Sequence, residues 1–350
     1  MLEKSKVEIL YGQLEEQMLG MKGGERLMPV RQLMQKYGFS QLTVMQALSR
    51  LETDGKVSRE PGKGFFVRDH QVSTQLRLGL VVPDWPSQAL SELEEVLKID
   101  GKSVGYQVSR YNYPVGSQIQ NNLPVRDFDV IAMIPCVNMM TPEFIHKVGT
   151  SAIPVILCWV SLPDVQLNCV TGDPFVTGAK AASYLTSKGH RKLAVMVSEP
   201  LSSSVIRSRL EGFKTVAEAV GAELTVIDAE VQPGEYAQDK TYRALSDFLE
   251  QQNPDFTALY VVSDETALAA MRALTDHGVS IPEQVSVMGS DGLRHGAFYH
   301  PPLTSIAVEA KRVADTILGM AGKLHDDPTL VMQEYLAPTI IERDSVKSLK

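Results

Sequence analysis

The chain has 350 residues, 44% of them hydrophobic and 22% charged, with a formal net charge of -8. That length suits two or three domains, each with its own core, and the composition is that of a folded soluble protein. The acidity argues against a polyanionic partner only until the chain is divided: residues 1–70 hold 11 Lys+Arg against 9 Asp+Glu, while the rest holds 23 against 33. The split suits a small nucleic-acid module on an acidic body.

Residues 5–20 place Val7, Leu10, Leu14 and Met18 at helical spacing, and a Gly-rich break follows. Leu27 to Met34 begins a second predicted helix, with Pro29 in its first turn, where a missing N–H costs little. Tyr37-Gly38-Phe39-Ser40 reads as the turn into a third helix, and Ser40 can cap it by accepting from the Thr43 N–H. In that helix Val44, Ala47, Leu48 and Leu51 form one apolar face, Gln41, Gln46, Ser49 and Arg50 form the polar one, and Gly55 ends it. Lys56–Arg59 and Phe65–Val67 then read as two strands closed by Pro61-Gly62-Lys63-Gly64, which puts a cation near the tip of a hairpin. Helix, turn, helix and basic-tipped hairpin outline a winged helix-turn-helix over residues 1–68, and the polar stretch 69–75 reads as a linker.

From residue 76 the texture changes to short apolar runs alternating with helical patterns. Strands are predicted at Leu78–Pro83, Gln107–Tyr111, Val130–Pro135, Pro154–Val160, Leu193–Ser198, Leu224–Asp228, Ala258–Ser263 and Val285–Ser290, with helices over 88–102, 176–187, 205–220, 238–251 and 265–277. Such alternation predicts parallel sheets covered on both faces, and the number of strands predicts two doubly wound lobes with a cleft between them. Ligands of open parallel sheets bind beyond the carboxyl ends of the strands. Trp85, Cys136, Asn138, Asp173, Glu199, Ser263, Asp264 and Asp291 follow those ends, with Arg207 and Arg209 just inside a following helix. Carboxylates, hydroxyls, a forked donor and an indole are what a polyhydroxyl ligand requires. Taken singly, Asp173 and Asp264 could equally be helix caps, and Asp291 a turn residue.

Residues 7–67 resemble the GntR family of transcription regulators, through Tyr11-x-Gln13-Leu14, Ser40-x-x-Thr43-Val44-x-x-Ala47-Leu48-x-x-Leu51-x-x-x-Gly55 and Gly62-Lys63-Gly64-Phe65-Phe66-Val67. The family usually carries arginines where Gln41 and Met45 stand and keeps the arginine found here as Arg31. The resemblance therefore implies retained docking and a different operator sequence. Gln41 or Gln46 would pair with adenine, Met45 would meet a thymine methyl, and Arg31, Lys63 and the capped amides of the Ser40–Thr43 turn would hold phosphates, with Arg50 on the same face.

Residues 76–350 resemble the LacI family, itself similar to periplasmic sugar-binding proteins, through Asp173 to Lys192, Arg209-Leu210-x-Gly212-Phe213, Asp264-x-x-Ala267, Ile281 to Asp291 and Pro302 to Ile306. The resemblance implies effector contacts from Asp173, Arg209 and Asp291, with Trp85 lining the pocket. Ser263 stands where the family usually has asparagine. A GntR-like reader on a LacI-like core is the arrangement of arabinose-responsive repressors.

The function expected is that of a cytoplasmic, homodimeric regulator, a repressor of operator DNA that responds to a neutral sugar, with no cofactor, metal, catalytic residue or membrane partner. Two alternatives stand beside it: an enzyme-like regulator holding pyridoxal phosphate, and a solute-binding protein without DNA function. Gly101-Lys102-Ser103 is no phosphate loop, because Val96 occupies the position of the leading glycine. Cys136, Cys158 and Cys169 form no CxxC pair and are expected to be reduced core residues. The start of the chain does not read as a signal peptide.

Overall fold

The computed structural model describes residues 6–18, 21, 24–53, 56–60, 62–67, 75–85, 87–136, 139–160, 165–232 and 235–350. They fall into two compact units, Met1–Gln75 and Leu76–Lys350.

The first unit contains α1 (Lys6–Met18), α2 (Val30–Tyr37), α3 (Gln41–Thr53) and an antiparallel hairpin of β1 (Val57–Glu60) and β2 (Gly64–Val67). Leu10, Leu14, Leu33, Val44, Ala47, Leu48, Leu51 and Val57 are buried together, so the apolar stripe of α3 faces the core as its spacing requires. Ser40 caps α3: its Oγ accepts from the Thr43 amide at 3.3 Å and shares a 2.9 Å hydrogen bond with Thr43 Oγ1. Gly62 and Gly64 take φ of 79° and 115°, conformations open to glycine, and so allow the tight turn of the hairpin. One boundary differs from expectation. Helix α2 starts after Pro29, because Gly24 to Leu27 run alongside β2, with Leu27 N donating to Phe65 O at 2.8 Å and Val67 N to Glu25 O at 2.8 Å. Gly55, Pro61 and residues 69–74 of the expected linker lie outside the described residues.

The second unit runs through β3 (Leu76–Pro83), α4 (Gln88–Ser103), β4 (Tyr106–Tyr113), β5 (Val130–Met133), α5 (Pro142–Gly149), β6 (Val155–Cys158) and β7 (Asn168–Gly172). It continues through α6 (Pro174–Ser187), β8 (Lys192–Val197), α7 (Ser204–Ala219), β9 (Glu223–Asp228), α8 (Ala237–Gln251), β10 (Ala258–Val261), α9 (Asp264–Asp276) and β11 (Ser286–Ser290). It ends with β12 (Thr304–Ala307), α10 (Ala310–Asp326), β13 (Gln333–Leu336) and β14 (Thr339–Ile341). The strands form two sheets, β13-β7-β6-β5-β3-β4 in lobe 1 and β14-β12-β11-β10-β8-β9 in lobe 2; the pairings are parallel except β12–β14. Helices cover both faces of each, α4 and α10 opposite α5 in lobe 1, and α6 and α7 opposite α8 and α9 in lobe 2. Buried on both faces, the central strands read as continuous apolar runs.

The chain passes between the lobes after β7, after β12 and between β13 and β14, and these passages meet at Gly172. A Cβ there would lie 2.9 Å from Val308 Cγ2 and 3.5 Å from the Leu336 carbonyl oxygen. Cys136, Cys158 and Cys169 are buried and form no disulfide. His190, just past the end of α6, is fully buried, its Nδ1 2.9 Å from Thr257 Oγ1 and its Nε2 3.2 Å from the Lys347 carbonyl oxygen. Among the described residues no helix is long and apolar enough to cross a membrane.

Candidate ligand cleft and DNA-reading face

Lobe 2 brings four side chains together at the carboxyl edge of its sheet: Glu199 beyond β8, Arg209 in α7, Ser263 beyond β10 and Asp291 directly after β11. Arg209 Nη1 donates to the Val262 carbonyl and stands 3.7 Å from Asp291 Oδ1, while Arg209 Nε is buried without a partner. The Ser263 hydroxyl lowers the proton affinity of both the Glu199 and the Asp291 carboxyls. Asp291 takes a φ of 113°, a conformation that non-glycine residues rarely adopt, and backbone strain of this kind concentrates at functional sites. Burial, with Asp291 nearby, pushes Glu199 up to about 7; burial likewise raises Asp291, against the opposing pull of Arg209.

Asp264 behaves differently from the rim residue expected of it. It is fully buried; Oδ1 accepts from Ser305 Oγ at 2.7 Å and Oδ2 from the Leu293 amide at 2.8 Å. A Cβ at Gly289 would lie 2.1 Å from its Oδ1. Both oxygens are spent inside the lobe, so Asp264 holds the loop after Asp291 in place. Asp173 caps α6, its Oδ1 accepting from the Phe175 amide at 2.8 Å and the Val176 amide at 3.2 Å. Among the described residues no hydrogen bond or ion pair joins Asp173 to the group around Arg209.

Arg209 owes its place to α6 and α7 packing at backbone contact. A Cβ at Gly178 would sit 1.8 Å from the Arg209 carbonyl oxygen, and one at Gly212 2.0 Å from that of Phe175. Lobe 1 carries Trp85, 37% exposed, just beyond β3, and Trp159, which follows β6 at a φ of 61° and packs half-buried against the core of that lobe. The strand expected to run through Val160 ends at Cys158, and this turn puts the second indole at the strand end. The lobes also touch directly. The Gln88 amide, at the start of α4, donates to Glu265 Oε1 at 2.8 Å; the Arg294 amide donates to Glu92 Oε1 at 3.0 Å, and the Arg294 guanidinium pairs with Glu92 and Glu95.

In the first unit Arg31, Ser40, Gln41, Gln46 and Arg50 are exposed and Thr43 is half-buried. Three side chains depart from the simple picture. Met45 packs against the core, leaving Leu42, 69% exposed, as the apolar side chain presented beside Gln41. Arg50 lies over the Tyr11 ring at 4.9 Å, and Lys63 pairs with Glu60 at 2.9 Å. Leu42 was open to sequence reasoning, since it lies off the apolar stripe. Trp159 and the clasp at Glu92, Glu95, Glu265 and Arg294 needed the fold.

Residues 8–67 match the family described as bacterial regulatory proteins, gntR family, and residues 182–346 match the periplasmic binding protein-like domain. The HTH-type transcriptional repressor PurR of Haemophilus influenzae is 30% identical over 204 residues, 57% of this chain and 59% of the relative. PurR of Actinobacillus pleuropneumoniae is 25% identical over 294 residues, 81% of this chain and 84% of its own. The match thus spans about 59% of the length of the Haemophilus relative. Among solved structures, the lac repressor dimer bound to operator and an anti-inducer aligns with a TM-score of 0.67 at 19% identity, covering 78% of this chain and 95% of that one. The Escherichia coli transcriptional repressor ascG aligns with 0.66 at 24%, covering 78% and 100%. At these identities the structural likeness speaks to the fold. The chain thus joins a segment that matches the bacterial gntR regulatory family, residues 8–67, to a core with the fold of the lac repressor, of which residues 182–346 match the periplasmic binding protein-like domain.

Proposed function

We propose that this chain is a one-component transcriptional regulator, a repressor, whose affinity for operator DNA is set by a small polyhydroxyl ligand held between the lobes. The observation that carries this reading is the coexistence of two devices in one chain: a capped helix presenting Gln41, Leu42 and Gln46 to solvent, and a lobe-2 sheet edge that carries Arg209, Glu199, Ser263 and Asp291, with Trp85 exposed beyond a lobe-1 strand. Gln41 and Gln46 carry the paired donor and acceptor that reads adenine, and Leu42 supplies the apolar contact for a thymine methyl. Arg31, the amides capped by Ser40 and, once released from Glu60, Lys63 contact phosphates. A palindromic operator calls for two symmetric readers, hence a homodimer assembled through residues 76–350. Ligand between the lobes favours the closed arrangement and changes the separation of the paired readers, a coupling on the usual scale of about 1–3 kcal/mol.

The relatives named as repressors support the direction of control, and a LacI family regulator from Enterococcus faecium solved with bound ribose, on the same fold at 21% identity, supports the ligand class. The test is operator selection from random duplexes followed by titration. Arg31→Ala and Lys63→Ala should weaken binding to every duplex and make its salt dependence shallower. Unchanged affinity in both variants would remove the docking from the proposal.

A further inference from the structure

Resting on the reading of the first unit as a DNA reader, we infer that Arg26 is the principal phosphate contact of the hairpin, ahead of Lys63 at its tip. Residues 24–27 run antiparallel beside β2: Gly24 N donates to Val67 O at 2.9 Å, Leu27 N to Phe65 O at 2.8 Å, and Arg26 stands opposite Phe66 in an antiparallel bridge. Phe66 in turn pairs with Ser58 on β1. Side chains alternate across a sheet, and Phe65 and Val67 are buried in the core, so Arg26, Phe66 and Ser58 share the opposite, outward face. The Arg26 side chain reaches along that face to the tip: a Cβ at Gly64 would lie 3.3 Å from its Nε, 3.5 Å from its Nη2 and 3.8 Å from its Cζ. Gly64 therefore serves the turn through its φ and also leaves the space in which this guanidinium lies.

Availability decides between the cations. Arg26 is exposed, and among the described residues no hydrogen bond or ion pair engages its guanidinium. The other described cations of α3 and the hairpin are engaged: Lys63 pairs with Glu60 at 2.9 Å, Lys56 pairs with Glu15, Arg59 lies over the Phe65 ring at 5.8 Å and Arg50 over the Tyr11 ring at 4.9 Å. Glu60 is the residue opposite Gly64, so Lys63 and Glu60 neutralise each other at the tip and the positive charge left beside them is that of Arg26. A guanidinium presents a planar fork that matches two phosphate oxygens, and it reaches DNA without first leaving a carboxylate. Arg26 is carried beside the hairpin and not by α3, whose exposed Gln41 and Gln46 meet base edges; contacts away from the reading helix position a protein on the backbone.

The test uses the full chain with its selected operator and an unrelated duplex, binding being measured across a salt series. Arg26→Ala should weaken both duplexes by roughly 5- to 20-fold, more than Lys63→Ala does, and make the slope of log affinity against log salt shallower by about 0.9, the share of one phosphate. Arg26→Lys keeps the charge and loses the fork, so it should restore the slope and only part of the affinity. Native affinity and slope in Arg26→Ala, while Arg31→Ala is weakened, overturn the contact and leave the DNA reader standing. A loss confined to the selected operator makes Arg26 a reader of bases, a loss smaller than that of Lys63→Ala returns first place to Lys63, and an Arg26→Lys chain with the shallow slope of Arg26→Ala makes the role structural; each of these overturns the assignment. A native chain that selects no duplex, with Arg31→Ala no different from it, removes the DNA reading itself and the inference with it.

Discussion

Glu199 owes its raised proton affinity first to burial and then to Asp291, with Glu265 adding to it and Arg209 and the Ser263 hydroxyl opposing it. A carboxyl group whose folded value lies above its unfolded one contributes stability that is full below the unfolded value, near 4.5, and is lost as pH rises through about 7. Asp264 and Asp291 shift in the same direction by burial. The ligand-free chain should therefore lose stability between about pH 5 and pH 8, and Glu199→Gln should flatten that decline, as read by urea unfolding across the range. An unfolding free energy that rises with pH there would contradict the placement of these carboxylates. On the DNA-reading face, Leu42→Ala should cost about fivefold in operator affinity with the stability of the first unit unchanged. Met45→Ala should instead lower that stability by about 1–2 kcal/mol. The sequence showed Gln41, Gln46 and Ser40 correctly as exposed or capping, because helical periodicity decides those positions. Met45, expected at a thymine methyl, lies at the edge of the apolar stripe and is half-buried against the core, a position that periodicity alone does not decide. For Asp264, spacing marks a helix start equally well for a ligand contact and for a buried anchor; the partners that distinguish them, the Leu293 amide and the Ser305 hydroxyl, lie 29 and 41 residues away in sequence.

At the scale of elements, the contact between α6 and α7 links sequence to site most directly. Gly178 and Gly212 let two backbones touch, and that contact fixes the height of Arg209 above the sheet. Gly178→Ala should force the helices apart, at a cost of about 1–3 kcal/mol in unfolding free energy, and weaken ligand binding because Arg209 moves with α7. A variant of native stability and native affinity would show that the helices are free to separate. The eight strands expected between residues 76 and 290 and the five helices among them are present, since each carries its own periodicity. The later elements were harder to read. Helix α10 follows a lobe-2 strand yet buries Val313, Ile317 and Leu324 in lobe 1, and β13 and β14 are short edge strands whose partners lie far away in sequence. No local pattern records where a chain crosses between lobes.

For the whole molecule, the lobes are clasped by groups outside the ligand group. Glu265 accepts from the exposed end of α4, and Arg294 reaches Glu92 and Glu95 on the same helix. Ion pairs this exposed contribute about 0.2–1 kcal/mol, so Arg294→Ala should speed ligand release by roughly 1.4- to 5-fold in stopped-flow dissociation, with the effect shrinking as salt is added. Release that is unchanged at low salt would mean that the clasp carries no part of closure. The fold class and both domain types were legible because winged and doubly wound motifs each have a dense local signature. Coupling between them is a property of the assembled protein, and it is the central claim. It is tested most directly by measuring the affinity of the full chain for its selected operator with and without a saturating cleft ligand, in the native chain and in Asp291→Asn. A change of about 5- to 150-fold that Asp291→Asn removes is the expected result. Operator affinity indifferent to a ligand shown to occupy the cleft would contradict it.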